Sequence, residues 1–284
     1  MIYYFNDEYI HNNVNIINIA DRGFLLGDGV FTTLKAVQGK LIHLDKHIKR
    51  LNEHASLIGL FLVLDSAVIG EVCKNLLQQN SLEGETAVIR ITVTRGISDR
   101  GIKIPPQELQ KPTLLIKAMP YHDTLNSAVK LCTTLVVRNE KSMLSQIKSL
   151  NYLESIIARN EADMKNYDDG IMFNSKGYIT ECSTSNIFFL TLSQEMITPP
   201  ITDGVLPGIV RGEVISICKQ LGIKIREESF SLTEIEENFI AGFITNSAIG
   251  IREIELVNHK PFLLSTAIIK ELITNYNYSI NACG

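Results

Sequence analysis

Two stretches of the chain decide its fold. They are Ile147-Lys148-Ser149-Leu150-Asn151-Tyr152-Leu153-Glu154 and Glu181-Cys182-Ser183-Thr184-Ser185-Asn186-Ile187-Phe188. A lone lysine is a solvated surface group in roughly nine cases of ten, and a lone glutamate is no more informative. Together, inside the patterns K-S-L-N-x-L and E-x-S-x-S-N-x-F, the two residues are far more specific. The pair therefore indicates a catalytic site rather than two surface charges.

These motifs resemble those of the fold-type IV pyridoxal phosphate family, which contains branched-chain and D-amino acid aminotransferases and aminodeoxychorismate lyase. The resemblance extends from Asp21 to about Ile254, with the motifs in the family's order. It implies that Lys148 holds the cofactor covalently as an imine and that Glu181 faces the pyridinium nitrogen. A protonated ring nitrogen draws electrons away from the substrate carbanion, and this is why a carboxylate is needed there.

The composition of the 284-residue chain is that of an ordinary globular protein. Hydrophobic residues make up 45% and charged residues 20%, which favours neither disorder nor a fibrous class. The length suits two domains, each with its own core. The net charge of -4 offers no basic surface for a phosphate backbone, so nucleic-acid binding is not expected. A small-molecule substrate fits better.

The cysteines and the apolar segments point to a cytoplasmic protein. The five cysteines contain no CxxC pair, which argues against a zinc site and against a disulfide framework. His43, His47 and His54 are spaced so that they could share a helix face, but the pattern is not that of a known metal motif, so no metal is expected. Met1–Asn15 has no secretory pattern, and the longest aliphatic run, Leu60–Leu64, is too short to span a bilayer.

Strand and helix patterns alternate in the first part of the chain, which predicts a small α+β amino-terminal domain over residues 1–118. The predicted strands are Asn15–Ile19, Val30–Val37, Ala87–Thr94 and Leu114–Ala118, and the predicted helices are His43–Leu60 and Ser66–Gln79. Residues 119–123, a proline and a polar turn, are the predicted linker. Residues 124–284 form the larger carboxy-terminal domain, which carries the cofactor lysine.

The patterns in this second domain place both motifs on defined elements. The predicted elements are a strand at Val129–Val137, a helix at Leu150–Met164 capped by Ser149 or Asn151, two strands within Gly170–Leu190, a helix at Gly208–Leu221, a capping box at Ser231–Glu234 and a strand at Phe239–Thr245. The family resemblance implies a two-domain α/β fold with a barrel-like sheet in this domain. It also implies that the cofactor lies between the domains and that the protein is a homodimer.

Three segments are candidates for holding the cofactor phosphate. Leu206-Pro207-Gly208-Ile209-Val210-Arg211 opens a helix, whose first amides and dipole favour an anion. The resemblance maps the phosphate amides onto Ile209 and Val210, and a second arm onto Asn246 and Ser247. In the H-x-x-R-L pattern, Arg50 is implied to form a charge-assisted pair with the phosphate.

Two further segments are candidates for substrate recognition. In Gly27-Asp28-Gly29-Val30-Phe31-Thr32-Thr33, Phe31 stands where D-amino acid aminotransferases carry tyrosine. The F-T-T sequence resembles aminodeoxychorismate lyase and makes Thr33 a candidate proton relay, although a threonine in a strand is also common for packing alone. Arg100 in R-G-x-x-x-R-G is the candidate anchor for a substrate carboxylate, since a guanidinium binds both oxygens at once.

Within the family, Phe31, Thr33, Arg100 and Asn246 favour aminodeoxychorismate lyase, which converts 4-amino-4-deoxychorismate into 4-aminobenzoate and pyruvate for folate synthesis. Lys148 would remove the proton from the amine-bearing carbon, and Lys148 or Thr33 would protonate the departing group. A D-amino acid or branched-chain aminotransferase is the alternative, because it shares every cofactor contact. A non-catalytic relic of the fold is disfavoured, since it would have no need to keep Lys148, Glu181 and Arg50 together.

Overall fold

The computed structural model describes residues 1–11, 16–98, 101–123 and 128–282. These residues divide into two compact units. Unit 1 contains Met1–His122 together with Ile147–Asn151, and unit 2 contains Asp123–Gln146 and the chain from Tyr152 onward. The change of unit after His122 falls within the predicted linker. The lysine segment, however, belongs to unit 1 and not to the carboxy-terminal unit as expected, because it pairs with a strand of unit 1.

Unit 1 is an antiparallel sheet with helices. Its elements are β1 (Ile2–Phe5), β2 (Glu8–His11), α1 (Arg22–Leu26), β3 (Gly29–Val37), β4 (Lys40–Leu41), α2 (Leu44–Leu57), α3 (Ser66–Gln79), β5 (Thr86–Thr94) and β6 (Thr113–Pro120). Within the described ranges the six strands have the order β2-β1-β6-β5-β3-β4. The predictions for β3, β5, α2 and α3 are confirmed. The predicted strand at Asn15–Ile19 is wrong over residues 16–19, and residue 15 lies outside the described residues.

The core of unit 1 follows from the alternation of apolar residues along β5. Ile89 and Ile91 are fully buried, whereas Arg90 between them is half-buried. Alternate residues of a strand face opposite sides of the sheet, so one face of β5 is apolar. This face shares a hydrophobic cluster with Leu51 of α2 and Leu76 of α3. The helices therefore cover one side of the sheet.

A buried ion network fixes the turn before β3. Asp28 accepts hydrogen bonds from Arg22 Nε at 2.7 Å and from Arg95 Nε and Nη2 at 2.8 and 2.9 Å. Burial by itself would raise the pKa of the Asp28 carboxyl, but the bonds from Arg95 and Arg22 outweigh this effect and the pKa is lowered. Arg95 also donates to the carbonyls of Ile58 and Gly59. The aspartate of the G-D-G motif therefore joins three loops of unit 1.

Unit 2 is built on a mixed sheet. Its elements are β7 (Ala128–Arg138), α4 (Leu153–Met164), β8 (Asp169–Asn174), β9 (Ile179–Cys182), β10 (Asn186–Thr191), β11 (Met196–Thr198), α5 (Ile209–Gln220), β12 (Ile225–Glu227), α6 (Leu232–Asn238), β13 (Phe239–Asn246), β14 (Gly250–Val257), β15 (Lys260–Pro261) and α7 (Ala267–Ala282). Over the described part of the chain the strand order is β12-β11-β10-β13-β14-β7-β8-β9, and β15 pairs with β14. The strands and helices predicted as β7, α5 and β13, and the capping box of α6, are confirmed.

Two details of unit 2 differ from the predictions. The segment predicted as two strands contains three, because the chain turns between β9 and β10, where Asp169 accepts hydrogen bonds from the amide and hydroxyl of Ser183. Helix α4 begins at Leu153, later than predicted. Its N-cap is Tyr152, which makes no side-chain capping bond, so the predicted caps Ser149 and Asn151 are wrong.

Aromatic residues on β10 pack on both faces of this sheet. Phe188 stacks on Phe243 with 4.9 Å between ring centroids, in a cluster that includes residues of α5 and α7. Phe189 points the other way and contacts Phe230 and Phe239. The strand is therefore buried on both sides, and its six residues are all buried.

No helix within the described ranges is long and apolar enough to cross a membrane.

Gly96 provides a test of the packing of unit 1. Its φ is +78°, and a Cβ there would lie 1.8 Å from the Lys111 carbonyl oxygen, which belongs to the backbone and cannot rotate away. Gly59 has a φ of +65° and no atom within 4 Å of such a Cβ. We expect Gly59→Ala to lower the free energy of unfolding by about 1–2 kcal/mol, and Gly96→Ala to lower it by about 2–3 kcal/mol more. Urea denaturation measures both, and equal losses would contradict the steric argument.

Candidate active site

The segment that carries Lys148 is held by unit 1 through its backbone. The Phe31 amide donates to the Lys148 carbonyl at 2.9 Å, and the Leu150 amide donates to the Gly29 carbonyl at 3.0 Å. The Lys148 amide donates to His54 Nδ1 on α2 at 3.0 Å. These bonds explain why residues 147–151 are not helical. They also fix the point from which the lysine side chain projects.

The Phe31 ring lies against two cations. Lys148 Nζ is 4.7 Å from the ring centroid, and the guanidinium carbon of Arg90 is 3.6 Å from it. Arg90 is the register partner of Thr33 on β5 and donates through Nε to Thr92 Oγ1 at 3.2 Å. Since residues two apart in a strand share a face, Thr33 lies on the same face of β3 as Phe31. This face of unit 1 therefore combines the lysine with an aromatic ring, a hydroxyl and a guanidinium.

Arg50 lies on α2 and is also tied to β3. Its Nη2 donates to Thr32 Oγ1 at 3.1 Å, and the Thr32 hydroxyl also contacts His47 Nδ1 at 2.7 Å. All three side chains are buried. A guanidinium held in this way retains its charge, so it is suited to a buried anion.

Two histidines of α2 are neutral near pH 7. Burial, then the charges of Arg50 and Lys148, lower the pKa of His54 to about 4. Burial, then the charges of Arg50, His43 and Lys148, hold the pKa of His47 well below its usual value. Because both rings are uncharged, the cationic character of this region comes from arginine and lysine. In the part of the chain described, no group of three His, Cys, Asp or Glu residues could hold a metal ion.

Glu181 is the centre of the polar site in unit 2. Its Oε2 accepts from Asn186 Nδ2 at 2.9 Å and from the Leu206 amide at 3.1 Å. Arg138 Nη2 lies 3.4 Å from Oε1, and Arg138 also donates to the carbonyls of Gly204 and Ser145. Three donors therefore face the carboxylate, and they stabilise its charged form. A carboxylate held in this way can accept a hydrogen bond from a donor such as a pyridinium N–H.

The start of helix α5 lies beside this carboxylate. Gly208 is its N-cap and makes no side-chain capping bond. A Cβ on Gly208 would come within 2.0 Å of Asn186 Oδ1, so a larger residue here would displace the Asn186 side chain. Asn186 also donates to the Leu206 carbonyl at 3.0 Å, which links the loop before α5 to Glu181. The amides of Ile209 and Val210 thus open a helix without a side chain in front of them.

The turn after β13 completes the polar region of unit 2. Asn246 Nδ2 donates to Ser185 Oγ at 3.0 Å, while its Oδ1 accepts from the amides of Ala248 and Ile249. The Asn246 side chain thus shapes the turn that contains Ser247. Thr245, the register partner of Asn186, is buried, and its Oγ1 has no hydrogen bond to any described residue. A buried hydroxyl of this kind suits a ligand that accepts a hydrogen bond.

The structure gathers the predicted residues into two groups. Unit 1 brings together Lys148, Phe31 and Thr33 around one face of β3, with Arg50 on α2. In unit 2, Asn186 connects Glu181 with the helix start at Ile209 and Val210 and with the strand that leads to Asn246 and Ser247. Arg100 lies outside the described residues.

Five side chains in these groups were not predicted. They are Arg90, Arg138, His54, Thr245 and Asn186. No sequence pattern marks the first two, since an arginine within or at the end of a strand is usually a surface residue. Asn186, by contrast, stands in the E-x-S-x-S-N-x-F motif, where its fixed spacing from Glu181 could have suggested a contact.

Comparison with known proteins identifies the family. The class IV aminotransferase profile matches residues 29–257. The chain belongs to the class IV aminotransferase family. Enzymes of this family use pyridoxal phosphate, so the predicted cofactor is confirmed. The groups of each unit are chemically suited to it: in unit 1, Lys148 suits an aldehyde and Arg50 a phosphate, and in unit 2, Glu181 suits a ring nitrogen and the uncapped start of α5 a phosphate.

Individual relatives carry different names. A Methanocaldococcus jannaschii protein, provisionally named a branched-chain-amino-acid aminotransferase, is 32% identical over 84% of this chain and 83% of its own length. The D-alanine aminotransferase of Listeria monocytogenes is 27% identical over 82% and 79%. A Legionella pneumophila crystal structure, provisionally named a 4-amino-4-deoxychorismate lyase, has a TM-score of 0.87 and 30% identity over 94% and 96%. The predicted family and fold class are confirmed.

The contact between Lys148 and His54 predicts a pH dependence of stability. The unfolded chain binds a proton at His54 near pH 6.5, whereas the folded chain does so only near pH 4. Stability from this group is therefore fully present above pH 6.5 and is lost as the pH falls from 6.5 to 4. Asparagine keeps an acceptor but does not titrate, so we expect His54→Asn to lose less stability between pH 7 and 4.5.

Urea denaturation at the two pH values measures this difference. His47 contributes a similar loss to both proteins, so it cancels in the comparison. The exposed His122, replaced by asparagine, is the matched control and should leave the pH dependence of the parent unchanged. A His54→Asn variant that loses as much stability on acidification as the parent would contradict the assignment.

Proposed function

We propose that the chain is an aminodeoxychorismate lyase, which converts 4-amino-4-deoxychorismate into 4-aminobenzoate and pyruvate in folate biosynthesis. The observation that carries the proposal is the position of Phe31, whose ring lies 4.7 Å from Lys148 Nζ. It offers an aromatic surface beside the lysine without the phenol that D-amino acid aminotransferases have at the corresponding position. The similarity to the Legionella structure supports the same choice.

The residues of the chain divide the chemistry among them. Pyridoxal phosphate, when bound, supplies a ring that withdraws electrons from the reacting carbon of the substrate. Lys148 Nζ removes the proton from the amine-bearing carbon, and Glu181 accepts the hydrogen bond of the pyridinium nitrogen. The enolpyruvyl group then departs, which makes the substrate ring aromatic. Lys148 Nζ or Thr33 Oγ1 delivers the proton that turns the departing group into pyruvate.

Arginine side chains are assigned to the carboxylates of the substrate. 4-Amino-4-deoxychorismate has two carboxylates, one on the ring and one on the enolpyruvyl group. Arg100 is the proposed anchor for one of them, as the family resemblance implies. Arg90, which lies over Phe31, is a second cation on the face that carries Lys148 and can receive the other.

The alternative is an aminotransferase that acts on D-amino acids or branched-chain amino acids. It is favoured by the two sequence relatives, which are named as aminotransferases. Such an enzyme would use the same residues for the cofactor, since the contacts of Lys148, Arg50 and Glu181 are common to both reactions. The two proposed reactions differ in the group that the substrate loses, which is the enolpyruvyl group in the lyase and the amino group in the aminotransferase.

The proposed partner is a second copy of the chain, as in the family. Unit 1 exposes Phe24, Leu25 and Ile102, with 70%, 59% and 86% of their surface accessible. Large exposed apolar side chains suit a surface that becomes covered on association. In the dimer, Arg100 would reach toward the substrate of the partner subunit.

Product analysis tests the proposed reaction. With 4-amino-4-deoxychorismate we expect equimolar 4-aminobenzoate and pyruvate, because loss of the enolpyruvyl group aromatises the ring. With D-alanine or leucine and 2-oxoglutarate we expect at least about a hundredfold slower glutamate formation, which corresponds to about 2.7 kcal/mol of discrimination. Chromatography of 4-aminobenzoate and of the glutamate enantiomers measures both. Fast glutamate formation with no 4-aminobenzoate would reject the lyase and establish the alternative.

A second test addresses the cofactor lysine. Purified protein should be yellow, and borohydride should fix the cofactor to the peptide that contains Lys148. Lys148→Ala should lose the visible absorption band and at least about 99.9% of the turnover, since the covalent attachment and the base are both removed. The exposed Lys141, replaced by alanine, is the control and should keep both. A label on any other lysine, found by peptide mapping, would overturn the assignment.

A further inference from the structure

We infer that Thr32 and His47 are positioning residues for Arg50, and that their hydrogen bonds set the direction in which its guanidinium meets the cofactor phosphate. The inference rests on the proposed role of Arg50 as a phosphate partner. We do not propose that Thr32 or His47 contacts the cofactor or the substrate. Both residues act by holding the Arg50 side chain in place.

The bond between Arg50 and Thr32 has only one possible direction. A guanidinium has donors and no acceptor, so the Thr32 hydroxyl must accept the bond from Arg50 Nη2 at 3.1 Å. The hydroxyl oxygen also lies 2.7 Å from His47 Nδ1. With the ring proton on Nε2, the hydroxyl donates its single hydrogen to Nδ1, and donation runs from Arg50 through Thr32 to His47.

The surroundings keep the His47 ring neutral. Burial, and then the charges of Arg50, His43 and Lys148, lower the pKa of His47 well below its usual value. A neutral ring carries one proton, and when this proton is on Nε2 the unprotonated Nδ1 accepts from the Thr32 hydroxyl. His47 thus adds no charge beside Arg50 and fixes the Thr32 hydroxyl that holds the guanidinium.

The three residues join two elements of unit 1. His47 and Arg50 are three residues apart on α2 and so share a face of the helix, while Thr32 belongs to β3. The Thr32 side chain points to the opposite face of β3 from Phe31 and Thr33 and is fully buried. Its hydroxyl is thus directed toward the helix and away from the face that carries Lys148. Since an arginine side chain has many rotamers, a bond to a fixed hydroxyl reduces the entropy lost when it binds an anion.

Two ligands that differ only in the phosphate separate this role from a general effect on folding. Protein freed of cofactor is titrated with pyridoxal phosphate and with pyridoxal, and binding is followed by absorbance. We expect Thr32→Val to weaken pyridoxal phosphate binding about five- to tenfold, the value of one neutral hydrogen bond, and to leave pyridoxal binding unchanged. Thr32→Ser, which restores the hydroxyl, should recover most of the affinity. Thr113→Val, which removes another buried hydroxyl of unit 1 whose bond goes to Asp21, should leave the ratio of the two affinities unchanged.

A double-mutant cycle with Arg50→Ala identifies the residue through which Thr32 acts. Arg50→Ala alone should weaken pyridoxal phosphate binding relative to pyridoxal, and Thr32→Val should add nothing further in that background. If Arg50→Ala shows no such selectivity, the proposed role of Arg50 fails. If Arg50→Ala is selective but Thr32→Val is not, or if their effects simply add, the positioning inference fails alone. Neither outcome depends on which reaction the enzyme catalyses.

Discussion

The backbone pairing between the lysine segment and β3 is the constraint on which the site in unit 1 depends. Two hydrogen bonds join Gly29 and Phe31 to the segment, and a third bond ties its lysine amide to His54. A long, flexible side chain can act as a base only if its origin is fixed, since otherwise its rotamers spread the amine over several ångströms. Here the origin is fixed by a sheet-like edge on one side and a helix on the other.

The charged groups of each unit suit different parts of a cofactor such as pyridoxal phosphate. In unit 1, His47 and His54 are neutral, and the positive charge comes from Arg50, Arg90 and Lys148. In unit 2, the Glu181 carboxylate lies among three donors that stabilise its charge. The start of α5 in the same unit has amides without a side-chain cap, which favour an anion.

The sequence predicted the regular elements well where a periodic pattern continued without interruption. Helix α3 and strand β5 begin and end as predicted or within a residue, because their apolar faces are continuous. The helix prediction was wrong for residues 150–152, where a helical pattern continued into a segment that is not helical. Lys148 and Glu181 were predicted from their motifs, whereas Arg138 and Arg90 could not be, since each acquires its neighbours only when distant strands come together. Local patterns contain no information about such contacts.

The assignment of residues 147–151 to unit 1 has a consequence for how this protein can evolve. A gene fragment that encodes unit 2 also encodes five residues of unit 1. If two homologous genes recombined near codon 122, the hybrid would combine the β3 of one parent with the lysine segment of the other. The foreign segment would have to form the same backbone bonds to Gly29, Phe31 and His54 in order to position its lysine. An exchange of unit 2 therefore also replaces five residues that pack within unit 1.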